Sequence, residues 1–113
     1  MLTIYHNPRC SKSRQTLALI EESNTPVSIG EYLKTPLSKE KIEQLLSLLD
    51  IKPIDMMRTK EAEFKEMGLK GASDDALIAA MVSTPKLIER PIVESETTAI
   101  IGRPPENVNA LLG

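Results

Sequence analysis

Hydrophobic positions change their period twice along this chain, alternating near both ends and recurring at helical spacing through the middle. Met1-Leu2-Thr3-Ile4-Tyr5 alternates apolar and β-branched residues until Asn7-Pro8, and therefore predicts a first strand closed by turn chemistry. Ser11 to Glu22 carries Leu17, Ala18 and Ile20 among good helix formers, and Asn24-Thr25-Pro26 ends it. Val27 and Ile29 alternate with polar neighbours just before Gly30, which predicts a short second strand.

The pattern then becomes helical. Beyond Leu37-Ser38, the apolar residues Ile42, Leu45, Leu46 and Leu49 fall on one helical face. Pro53 suits the first turn of another helix, and Lys60 to Met67 reads as helix until Gly68, a natural residue for a left-handed C-terminal position. After Ser73-Asp74-Asp75, which offers side-chain oxygens to free amides, Leu77, Ile78, Met81 and Val82 form an apolar stripe that Thr84-Pro85 ends.

Two β-branched runs, Ile92-Val93-Glu94 and Thr98-Ala99-Ile100-Ile101, flank the polar stretch Ser95-Glu96-Thr97 and predict a hairpin, with a short helix after Pro104-Pro105. Strands at both ends with helices between them point to an α/β fold with a mixed sheet. The helical insertion, roughly 50 residues, is longer than a minimal crossover. With 113 residues, no internal repeat and no linker, residues 1–113 are expected to form a single domain.

Composition narrows the functions open to such a fold. Fourteen basic against sixteen acidic side chains give a formal charge of −2, so the overall field attracts neither nucleic acid nor an anionic membrane. Aromatic residues are Tyr5, Tyr32 and Phe64 alone, too few for a base-stacking surface. No apolar run approaches the roughly 20 residues that cross a bilayer and no secretory leader is evident, which together point to the cytoplasm. One cysteine and one histidine exclude an internal disulfide and fall short of a structural zinc site, so no metal is expected.

That single cysteine stands in His6-Asn7-Pro8-Arg9-Cys10-Ser11-Lys12-Ser13-Arg14, at a predicted strand-to-helix junction among three fixed cations. Free amides and the helix dipole favour negative charge there, and the cations add to it, so Cys10 should have a depressed pKa and act as a nucleophilic thiolate. The amides of Ser11, Lys12, Ser13 and Arg14, with the hydroxyls of Ser11 and Ser13, could hold a tetrahedral oxyanion beside the sulfur. The alternative is a small core cysteine, but charged neighbours are poor company for a buried hydrophobe. Ser13 stands where a C-x-x-C motif has its second thiol, so an outside thiol must complete any redox cycle. The nucleotide-phosphate pattern G-x-x-x-x-G-K is absent at this junction. His6 either orients or deprotonates a group near Cys10 or is a turn residue.

Three further arginines lie at predicted element boundaries: Arg58, Arg90 before Pro91, and Arg103 in Gly102-Arg103-Pro104. Arginine holds an oxyanion bidentately and keeps its charge when partly desolvated; taken singly, each can equally be a solvated surface residue.

Together, the Cys10 loop, Leu33 through Pro36, Met57-Arg58-Thr59-Lys60, Asp74-Asp75-Ala76-Leu77, Leu87 through Val93 and Gly102-Arg103-Pro104 closely resemble the glutaredoxin-dependent arsenate reductase (ArsC) family, in particular its shorter chromosomal YfgD-like branch. The resemblance implies a thioredoxin-like fold with a mixed four-stranded sheet, a helical insertion and a cis bond before Pro91. It also implies an oxyanion pocket around Cys10 lined by Arg58, Arg90 and Arg103, with His6, Asn7 and Pro91 in support. The implied reaction is attack of Cys10 on arsenate, attack of glutathione as co-substrate on the adduct, and resolution of the mixed disulfide by glutaredoxin, with no bound cofactor. Two other functions stay open within the same superfamily: a glutathione-dependent reductase of mixed disulfides, and an Spx-like regulator that binds RNA polymerase. The missing second cysteine and the retained arginines argue against the regulator.

Overall fold

The computed structural model describes residues 2–112, which cluster into two compact units, one comprising the chain up to Thr35 and from Arg90 onward, the other Pro36–Glu89. The first holds a four-stranded mixed sheet in the order β2-β1-β3-β4, formed by β1 (Leu2–Tyr5), β2 (Val27–Gly30), β3 (Ile92–Glu94) and β4 (Ala99–Ile101). β1 runs parallel to β2 and antiparallel to β3, and β3 and β4 form the hairpin expected from their β-branched runs. The parallel pair requires a crossover, supplied by α1 (Ser11–Glu22). The fold is α/β and thioredoxin-like.

Register decides what this unit buries. Ile4 stands opposite Val93, which stands opposite Ile100, so these side chains share one face of the sheet. Leu2, Ile4 and Val93 join Ile20 of α1 and Val108 of the C-terminal segment in a buried aliphatic cluster, with Leu17, Leu19, Val27, Ile100, Leu111 and Leu112 packed against it. Fully burying one such side chain is worth about 1.5–3 kcal/mol, so this layer fixes α1 against the sheet.

The approach of α1 to the start of the C-terminal segment also depends on Gly102. A Cβ there would lie 2.5 Å from Thr16 Oγ1 and 2.8 Å from Pro91 Cγ, and the Gly102 amide donates to the Pro91 carbonyl at 2.8 Å. The peptide bonds Arg90–Pro91 and Arg103–Pro104 are both cis; the resemblance implied the first only.

The second unit is helical. α2 (Lys39–Leu49) buries Ile42, Leu45 and Leu46, is capped by Ser38 Oγ accepting from the Lys41 amide, and ends at Asp50 in the left-handed region. α3 (Ala62–Glu66) is shorter than the Lys60–Met67 reading, because Lys60 and Glu61 belong to the preceding turn; Gly68 follows with φ +63. α4 (Asp74–Ser83) is capped by Ser73, whose Oγ accepts from the Ala76 amide. It buries Leu77, Ile78, Ala80 and Met81, whereas Val82 is only half-buried.

Two segments expected to be helical are 3-10 turns rather than α-helix: Pro53–Met56 here, and Pro105–Leu111 in the first unit. The former is cut short because Met57 turns extended to bridge Ile88. That crossing is flanked by hydrogen bonds from the Arg58 amide to the Leu87 carbonyl and from the Glu89 amide to the Met56 carbonyl, each 2.7 Å.

Candidate active site

The end of β1 delivers the chain into a tight loop that starts α1. The Arg9 amide donates to Asn7 Oδ1 at 3.1 Å and the Cys10 amide to the Asn7 carbonyl at 3.0 Å. Asn7 therefore builds the turn, which is the chemistry asparagine supplies best. Arg14 closes it from the helix side, its Nη1 donating to the Pro8 carbonyl at 2.9 Å.

Cys10 is the N-cap of α1, with extended backbone (φ −94, ψ 124), and the residue is only 9% exposed. The first intrahelical hydrogen bond runs from the Arg14 amide to the Cys10 carbonyl, which leaves the amides of Ser11, Lys12 and Ser13 without helical partners. No side-chain hydrogen bond of ordinary length caps this helix; the Ser13 and Lys12 amides act on the Cys10 sulfur instead.

Burial by itself pushes the thiol up. The Ser13 amide, the charge and hydrogen bond of the Arg90 guanidinium, and the Lys12 amide together outweigh it and hold Cys10 below the ordinary thiol value. The net result is a sulfur disposed to ionise at the positive end of a twelve-residue helix.

Arg90 is the most informative cation. Its Nε and Nη1 are buried and have no hydrogen-bond partner among the described residues. Leaving charged donors desolvated and unpaired is expensive, so native structures seldom do it without a ligand or solvent to meet them. Those unmet donors lie on the same guanidinium that acts on Cys10.

Ser13 is fully buried. Its Oγ lies 2.6 Å from His6 Nδ1 and accepts from the Asn7 amide at 3.0 Å. What Ser13 directs at the sulfur is its amide, while its hydroxyl braces the loop. His6 is buried too, and desolvation lowers its pKa; Arg14 also lowers it, against the opposing charges of Glu31 and Glu21. Burial thus favours the neutral form of the imidazole.

Ser11, Lys12 and Arg14 are exposed at the start of α1. Pro91 is buried beside Gly102, and Arg103 is exposed with Nη1 donating to the Arg90 carbonyl at 3.4 Å. The first unit thus brings Cys10, its flanking residues, Arg90, Pro91 and Arg103 into one sequence-discontinuous region. Arg58 belongs to the second unit, where its Nη1 is ion-paired to Glu61 Oε1 at 2.6 Å. Sequence reasoning did not find the His6–Ser13 brace or the need for Gly102; the first joins residues seven apart, and the second depends on a contact that only the packed fold creates.

The ArsC family model matches residues 5–111, nearly the whole chain, from the last residue of β1 through the C-terminal 3-10 segment. This chain belongs to the ArsC family. Among its relatives, the protein YfgD of Escherichia coli is 47% identical over 113 residues, covering 97% of this chain and 95% of that protein. A Neisseria meningitidis protein named arsenate reductase is 40% identical over 114 residues, covering 98% of this chain and 97% of its own length. The solved structure of an arsenate reductase from Vibrio cholerae superposes with a TM-score of 0.93 at 48% identity, covering 96% of this chain and 95% of that one. Full-length matches of this kind place the Cys10 loop within an ArsC fold and exclude a chance resemblance confined to one motif.

Among the described residues no group of His, Cys, Asp and Glu is arranged to hold a metal ion, and no helix is long and apolar enough to cross a membrane.

Proposed function

We propose that this ArsC-family protein reduces arsenate to arsenite, with Cys10 as the nucleophile and Arg90 as the principal anchor of the oxyanion. The observation that carries this reading is the pair of buried, unpartnered donors on Arg90, the guanidinium that also lowers the Cys10 pKa. A tetrahedral dianion would satisfy those donors, and the Ser11 amide, left without a helical partner at the start of α1, would add another.

The chemistry follows in two steps. The Cys10 thiolate attacks arsenic(V) and forms an S–As bond while one oxygen leaves as water after protonation. A glutathione thiolate then attacks the Cys10 sulfur; an S–S bond forms, and the S–As bond breaks with its electron pair remaining on arsenic, which departs as arsenite. With Cys10 as the only cysteine, the mixed disulfide must be resolved from outside. Glutaredoxin fills that role by taking up the glutathionyl group and releasing the Cys10 thiolate, in the reducing setting of the cytoplasm.

The test is arsenate-dependent NADPH oxidation coupled through glutathione, glutaredoxin and glutathione reductase. Native turnover abolished by Cys10→Ser, and lowered about 10²–10³-fold in kcat/KM by Arg90→Ala, is the expected result. Absence of native arsenate turnover, with Cys10-dependent reduction of a small mixed disulfide intact, would overturn the substrate assignment.

A further inference from the structure

Beside the Cys10 loop, next to the segment that follows β2, the first unit has a cavity of about 260 Å³ lined by His6, Asn7, Pro8, Arg9, Glu31, Leu33 and Lys34. We propose that this cavity binds the reducing co-substrate: a short thiol peptide that carries carboxylates and an ammonium group. The proposal rests on the reading of Cys10 as a nucleophile that an external thiol must regenerate, and it assigns that thiol a place distinct from the Arg90 oxyanion site.

Three features carry it. The first is position: Asn7, Pro8 and Arg9 form one wall, Cys10 is the next residue in the same turn, and the Asn7 carbonyl accepts from the Cys10 amide at 3.0 Å. A thiol bound here would lie against the same loop that carries Cys10.

The second is charge. A site for a bare oxyanion would be uniformly basic, whereas this rim sets Arg9 and Lys34 against Glu31. Such a mixture matches a zwitterionic peptide, carboxylates toward the cations and ammonium toward Glu31. The Glu31–Lys34 contact is long, 3.5 Å, and its side chains are 39% and 78% exposed. An exposed pair of this kind holds little energy of its own and yields readily to a ligand.

The third is the wall itself. It is mostly apolar, and Leu33 stands 45% exposed on it, one of only four large hydrophobic side chains so exposed among the described residues. Pro8 and Leu33 offer carbon surface to the methylene groups of a peptide, which an inorganic oxyanion cannot use. The volume lies just below the roughly 300 Å³ at which pockets for drug-sized molecules begin, and so suits part of a di- or tripeptide.

Binding would aim the peptide thiolate at the Cys10 sulfur of the arsenic adduct. The S–S bond forms as the S–As bond breaks with its electron pair on arsenic, so the reductant is the peptide thiol and the oxidant the bound arsenic(V).

S-methylglutathione, which cannot react, separates binding from turnover. Titrated into the native chain and followed by amide NMR, it should shift the amide resonances of Asn7, Arg9 and residues 31–34. Lys34→Glu and Leu33→Asp should each raise the KM for glutathione about tenfold, the loss of one charge-assisted contact or its apolar equivalent. The KM for 2-mercaptoethanol, an uncharged thiol, and the alkylation rate of Cys10 should stay unchanged, and a native-like amide spectrum establishes that each variant is folded. Absence of shifts in those residues, or equal loss with both thiols, would overturn the proposal. A chain that binds S-methylglutathione at these residues yet does not reduce arsenate would refute the substrate reading and leave the cavity assignment standing. Arsenate turnover with no binding at this cavity would do the reverse.

Discussion

His6 Nδ1 and Ser13 Oγ lie 2.6 Å apart, both buried, and tie the end of β1 to the first turn of α1 across the loop that carries Cys10. Ser13 Oγ also accepts the Asn7 amide, so one hydroxyl sets the path of the chain around Cys10. Ser13→Ala would leave a buried amide and a buried ring nitrogen without their partner. A loss of about 1–3 kcal/mol in stability is expected for such an unmet group. Urea unfolding monitored by circular dichroism checks it, and a loss under 0.5 kcal/mol would show that the brace is dispensable.

Cys10 should titrate below the ordinary thiol range, because Arg90 and the Ser13 and Lys12 amides outweigh the effect of burial. The pH profile of iodoacetamide alkylation reports that midpoint. Removing the Arg90 charge takes away a contribution that lowers the pKa, so Arg90→Ala should move the midpoint to higher pH. Well above both midpoints, where the sulfur is fully ionised in both proteins, the rates should converge. A midpoint unmoved by Arg90→Ala would place the guanidinium outside the sulfur's electrostatic reach.

Protonation of His6 opposes folding. Its folded pKa is lowered by burial, so the unfolded chain binds the proton more readily. The stability His6 contributes is fully present above the unfolded value, about 6.5, and is lost progressively as pH falls through the lowered folded value, below which it changes no further. His6→Gln should flatten the stability curve on the acid side of neutrality, measured as urea midpoints between pH 4 and 8. An unchanged slope would mean that the imidazole is protonated equally in both states.

Gly102→Ala forces a Cβ into Thr16 and Pro91, at 2.5 and 2.8 Å from their nearest atoms. Thr16 cannot easily give way, because its Oγ1 donates to the Lys12 carbonyl at 2.8 Å. Overpacking of this order typically costs about 1–3 kcal/mol, and the displaced helix start should slow Cys10 alkylation as well. Thermal unfolding and the alkylation rate together test it; a variant with native stability would show that α1 can retreat freely.

Much of this molecule was legible before any coordinates. The bounds of α1, the Ser73 cap and the β3–β4 hairpin are local events, decided by residues within a few positions of one another, and pattern and capping chemistry read such events directly. Cys10 at a helix start among cations is local in the same sense. The shortening of α3 and the 3-10 geometry of Pro53–Met56 were not legible: Met57 leaves the turn to pair with Ile88, a partner thirty-one positions away.

Sequence by itself determined the α/β class, and residue type, spacing and the count of cysteines singled out Cys10 as the candidate nucleophile of the proposed reaction. Tertiary structure decided which arginine acts on the sulfur, that the Ser13 hydroxyl braces the loop while its amide faces Cys10, and that a mixed-charge cavity opens beside the turn. The reason is physical: desolvation and hydrogen-bond direction depend on what surrounds a group, and β3 brings Arg90 to a loop eighty positions earlier only when the sheet has closed.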